Sequence, residues 1–92
     1  MAVFRIVGEN SKIFGDVSFN RGVRYLRNYS SLEVAQMRKQ MLHIFRCRTS
    51  DGVIVFWGRC SSRSYDPLIF GDGYGASTIE YKNPSTGVWE VL

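Results

Sequence analysis

Apolar and polar residues alternate in several segments of this chain and change to a spacing of three and four in one long stretch, with Val23 and Leu26, three apart, suiting one short helical turn before it. Residues 2–8 (AVFRIVG) and 12–19 (KIFGDVSF) are rich in β-branched and aromatic residues, and Ile13, Val17 and Phe19 alternate with Lys12, Asp16 and Ser18. Period-two patterning of this kind predicts strands, here joined through GENS into an amino-terminal hairpin. Val34, Met37 and Met41 instead recur at i, i+3 and i+7, with Ala35 and Leu42 beside them and Glu33, Gln36 and Gln40 opposite. That stripe predicts an amphipathic helix over about 31–41, with the stem of Arg38 packed at its margin. Ser30-Ser31-Leu32-Glu33 has the form of a capping box, in which a serine hydroxyl and a glutamate satisfy the first free amides reciprocally.

Two further hairpins follow from turn chemistry. HIFRCR and VIVFWGR flank Thr-Ser-Asp-Gly, where Gly52 suits the left-handed position of a bulged turn. With Thr49 paired to Val53, strict alternation sets Cys47 against Val55, Phe45 against Trp57 and His43 against Arg59, as the face turned to the core. The other face then pairs Arg48 with Ile54, Arg46 with Phe56 and Ile44 with Gly58, and Cys47 and Cys60 point to opposite sides. STIEYK-NPSTG-VWEVL reads as a last hairpin with Ile79, Tyr81, Trp89 and Val91 inward. Residues 61–77, rich in Gly and Ser, read as a long connection of the kind that is functional or mobile. The expected fold is α+β: one principal helix packed on a mostly antiparallel sheet of five or six strands, in the order β-β-α-β-β-β-β.

Composition agrees with one globular domain over residues 1–92. Hydrophobic residues make up 45% and charged residues 22% of the chain, so a core can form and disorder is not expected. Two cysteines, Cys47 and Cys60, are too few for a disulfide framework and lack the spacing of a zinc site. The start, MAVFRIVG, interrupts its apolar run with Arg5, and no stretch reaches the roughly 18 apolar residues of a membrane span. A cytoplasmic, intracellular setting without a membrane partner is therefore expected.

Charge changes the picture more. Residues 20–48 hold Arg21, Arg24, Arg27, Arg38, Lys39, Arg46 and Arg48 against Glu33 alone, whereas the segment before is balanced and residues 49–92 are mildly acidic. Clustered cations make a local potential that draws an anionic partner. Tyr25 and Tyr29 interleave with Arg21, Arg24 and Arg27; arginine forks match phosphate, and tyrosine rings offer a stacking surface to unpaired bases. Arg46 and Arg48 on the hairpin would extend such a surface. The leading expectation is a non-enzymatic basic module that binds single-stranded nucleic acid or RNA, free or in a nucleoprotein complex. A solvated basic face, or contact with an acidic protein surface, stays open beside it.

A second expectation is a small protein-interaction factor of the phage or mobile-element type, inhibiting a host complex as anti-defence proteins do. Tyr65, Leu68, Phe70 and Tyr74 would be its anchors. A minimal nuclease is a remote third: the sole histidine, His43, would need Glu33, Arg46 or Arg59 beside it. GDGYG at 71–75 lacks the lysine of a phosphate-binding loop, and Asp66 and Asp72 read as turn formers rather than metal ligands. No cofactor is expected.

Overall fold

A computed structural model describes residues 2–10 and 31–92, and of residues 31, 33, 34, 37 and 38 the backbone alone. Its elements are β1 (Phe4–Glu9), α1 (Ser31–Gln40), β2 (His43–Arg48), β3 (Ile54–Cys60), α2 (Asp66–Gly71), a 3-10 turn (Asp72–Tyr74), β4 (Thr78–Lys82) and β5 (Trp89–Val91). The five strands form one sheet in the order β1-β3-β2-β4-β5, and every neighbouring pair is antiparallel. The class is α+β. The expected strand at 12–19, the capping serine Ser30 and the segment bearing Arg21, Arg24, Tyr25, Arg27 and Tyr29 lie outside the described residues.

The helix α1 falls where the three-and-four spacing places it. Leu42 differs from the expectation: the helix ends at Gln40, the Leu42 amide donates to the Gln40 carbonyl at 3.0 Å, and the turn leaves Leu42 exposed while Met41 is buried.

The β2–β3 turn forms as its residues dictate. Gly52 takes φ +84°, the Thr49 amide donates to the Val53 carbonyl at 2.9 Å, and the Gly52 amide donates to the Thr49 carbonyl at 2.9 Å. Past that turn the expected register fails by one residue. Arg48 pairs with Ile54, but Cys47 pairs with Phe56, Arg46 with Trp57, Phe45 with Gly58, Ile44 with Arg59 and His43 with Cys60. Val55 is the extra residue of a bulge, and both Val55 and Phe56 are buried. A one-residue slip sends each later side chain of the strand to the other face. Phe56 therefore enters the core, edge-on to Phe45 at 6.2 Å and stacked on Phe70 at 5.7 Å, whereas Trp57 leaves it and is 41% exposed.

The same shift corrects the cysteines. Cys47 and Cys60 share the core face and both thiols are free and buried. They stand four ladder positions apart, roughly 13 Å, beyond the reach of a disulfide. Burial pushes the Cys47 thiol up to about 12, which keeps it protonated and unreactive.

In the last hairpin Ile79 and Tyr81 are inward as expected, but Lys82 opposes Trp89 and Glu80 opposes Val91. Trp89 and Val91 thus lie on the face away from the core. The Asn83 side-chain oxygen accepts from the Ser85 and Thr86 amides at 2.9 and 3.3 Å, and this turn sets that pairing.

Residues 61–77 are not an open loop. Pro67 occupies the first turn of α2, where its missing amide hydrogen costs no helical bond, and Leu68, Phe70 and Tyr74 pack against the core. A methyl group at Gly71 would stand 2.8 Å from Phe56 and 2.9 Å from Ala76, so the helix comes down on the sheet through a residue without a side chain. The Tyr81 hydroxyl donates to the Ser64 carbonyl at 2.7 Å and accepts from the Ser64 amide at 3.0 Å, tying the start of this segment to β4. Asp66 accepts from the Ala2 amide at 2.9 Å and anchors the chain ahead of β1. The core is the layer between this segment and one face of the sheet.

Candidate functional site

Directly opposed residues share a face, so the register defines the sheet surface on the side away from the core. One row crosses it from Arg5 through Arg59 to Ile44, beside Lys82 and Trp89. The next runs from Gly8 through Trp57, Arg46 and Glu80 to Val91, and a third joins Ile54, Arg48 and Thr78. Among the described residues this face carries five cations, Arg5, Arg46, Arg48, Arg59 and Lys82, and one acid, Glu80. Two tryptophans lie among them.

Glu80 organises the centre. It is 8% exposed, and its Oε1 accepts from Arg46 Nε at 2.8 Å. Arg48 Nε approaches the same oxygen at 2.9 Å but outside hydrogen-bond direction, so that contact is coulombic. The Arg46 guanidinium also lies 4.1 Å over the Trp89 ring, a cation–π contact. Both arginines approach Glu80 through Nε.

Arg46 and Arg48, expected on one hairpin face, are on one face, and the structure adds Arg5, Arg59, Lys82, Trp57 and Trp89 to them. Alternation within each strand predicts Trp57 and Trp89 in the core. Their exposure depends on a bulge and on a cross-sheet pairing that alternation within one strand does not reveal. The alternation of Ile44, Arg46 and Arg48 with buried residues is the sequence signal for the arginines. The other expected residues, Arg21, Arg24, Tyr25, Arg27 and Tyr29, lie outside the described residues.

The four loop positions separate. Tyr65 is exposed, with Ile69 one turn further along α2 also exposed, whereas Leu68, Phe70 and Tyr74 face the core. Phe70 and Tyr74 serve packing, with ring centroids 5.5 Å apart.

Of the nuclease constellation, His43 is not brought together with Arg46 or Arg59, and the side chain of Glu33 lies outside what is described. His43 stands on the core side of β2, edge-on to Tyr81 at 6.4 Å, and the sheet separates it from Arg46 and Arg59. In GDGYG, Gly71 admits the Phe56 ring and Gly75 closes the 3-10 turn at φ +87° by donating to the Asp72 carbonyl. Those glycines have packing and turn roles. No helix among the described residues is long and apolar enough to cross a membrane.

The fold and this surface define a small α+β domain with a cationic, tryptophan-bearing sheet face. Comparison with protein-family models, curated proteins and solved structures yields no match.

Proposed function

We propose that this protein is a non-enzymatic binding module whose cationic sheet face takes single-stranded nucleic acid, DNA or RNA, free or within a nucleoprotein complex. The observation that supports this reading is the gathering, among the described residues, of Arg5, Arg46, Arg48, Arg59 and Lys82 on one face with Trp57 and Trp89 and a single acid. Cations neutralise phosphates and release their counterions, while aromatic rings take bases without regard to sequence. Buried free thiols at Cys47 and Cys60 accord with a reducing, cytoplasmic setting.

Fluorescence anisotropy with labelled single-stranded DNA, RNA and duplex probes at low and high salt tests it. Binding to single strands that weakens steeply with salt is the expected result. Binding equally strong at both salt concentrations, or no binding at low salt, overturns the reading.

A second reading, a protein-interaction factor that inhibits a host complex, draws on exposed Tyr65 and Ile69 on the outer side of α2. Under it, Tyr65→Ala weakens capture of the protein partner, and arginine changes on the sheet face mainly slow association.

A further inference from the structure

Trp57 has a seat built for it. A Cβ placed on Gly8 would stand 2.3 Å from Trp57 Cζ2, 2.5 Å from Cε2 and 2.8 Å from Nε1, so the indole occupies the space a side chain at Gly8 would fill. The bulge in β1 between Ile6 and Gly8 brings Gly8, and not Val7, opposite Trp57. Glycine and bulge together let the ring lie against the backbone of β1. The residue nevertheless keeps 41% of its surface exposed.

Arginines flank Trp57 on the ladder, with the Arg46 guanidinium itself turned to Glu80 and Trp89. Arg46 is its cross-strand partner on β2, and Arg59 follows two residues along β3 on the same face, roughly 7 Å away, with Arg5 opposite it. A flat aromatic surface backed by a strand, with arginines on two sides, meets the requirements of an unstacked base and its flanking phosphates. An acidic polypeptide would use the arginines but leave the indole surface without a partner of its own. Duplex nucleic acid would likewise keep its base faces hidden.

We infer that Trp57 is a base-stacking platform and that the ligand of this face presents unpaired bases. This inference rests on the proposed function and goes further by naming the residue and the part of the ligand it takes. In a Trp89→Phe background Trp57 is the sole tryptophan, so its emission reports on that position. Titration with a dT oligonucleotide of about 12 nucleotides is expected to quench it. Trp57→Ala is expected to weaken binding about 5- to 150-fold, the range associated with one base–aromatic stack. Trp57→Phe, which keeps a smaller aromatic face, falls between. Gly8→Ala retains the indole but displaces it from β1, and weakens binding in the same direction.

Circular dichroism and thermal melting establish that each variant is folded. If Trp57→Ala does not fold, the emission titration and Trp57→Phe decide. Undiminished, salt-dependent binding by folded Trp57→Ala, or undiminished binding by Trp57→Phe together with unchanged Trp57 emission in the Trp89→Phe protein on titration, overturns the platform and leaves the proposed function standing. Quenching by a polyglutamate peptide and not by the oligonucleotide also overturns it. Absence of binding by the unaltered protein at low salt removes both.

Discussion

Arg46 and Glu80, 34 residues apart in sequence, meet across the β2–β4 ladder in a 2.8 Å hydrogen bond from Nε to Oε1. The bond sits between Trp57 on one side of the row and Val91 on the other, and Arg48 shares its carboxylate. Glu80 therefore has two effects of opposite sign on an anionic ligand. It holds the arginines in place, and its own charge repels phosphate.

Glu80→Gln separates these effects, because the amide oxygen can still accept from Arg46 Nε while the charge is gone. The expected outcome is tighter binding of single-stranded probes, with the slope of log K against log salt steeper by about 0.7, as for one additional phosphate contact. Glu80→Ala, which removes the acceptor too, is expected to lower stability by about 2 kcal/mol. Salt-dependent anisotropy and urea denaturation measure the two quantities. An unchanged salt slope in folded Glu80→Gln would count against phosphate contact at this pair.

The loop aromatics divide by what they touch. Phe70→Ala removes a ring stacked on Phe56 and leaning on Phe4 and Tyr74, and is expected to cost about 3 kcal/mol. Tyr65→Ala, at an exposed position, is expected to change stability by no more than about 0.5 kcal/mol. Denaturant midpoints compared at equal m-values check both.

Alkaline pH is expected to weaken the fold through Cys47. Its thiol is raised by burial from an ordinary 9.0 to about 12 in the native protein. Below pH 9 both states hold the proton and stability does not depend on this group. Between 9 and about 12 the unfolded chain binds fewer protons than the native one, so stability falls, by up to about 1.4 kcal/mol per pH unit. Tyr81, also raised chiefly by burial, adds a loss of the same sign at higher pH. Urea unfolding at about pH 8 and about pH 10 is expected to show the decline, with a shallower slope in Cys47→Ala. Equal slopes in the two proteins would assign the loss elsewhere.

Much of the fold is legible in local sequence because its causes are local. The period-two runs mark β1, β2 and β4, the stripe through Val34 and Met37 marks α1, and Gly52 marks the turn between β2 and β3. The short helix α2 is harder to read: six residues are too few to display a helical period, although Pro67 in its first turn is a start signal.

The candidate site is another matter. Residues 53–57 (VIVFW) are apolar throughout, so no alternation within the run says which members turn inward. Chain composition and patterning determine that this is an α+β domain with strands at these places and arginines on one side of β2. Tertiary packing alone decides that Val55 bulges, that Phe56 meets Phe45 and Phe70, and that Trp57 comes to rest over Gly8 beside Arg46. The physical reason is that a bulge moves the following side chains to the other face without altering local hydrophobicity, and only contacts between distant strands distinguish the two registers.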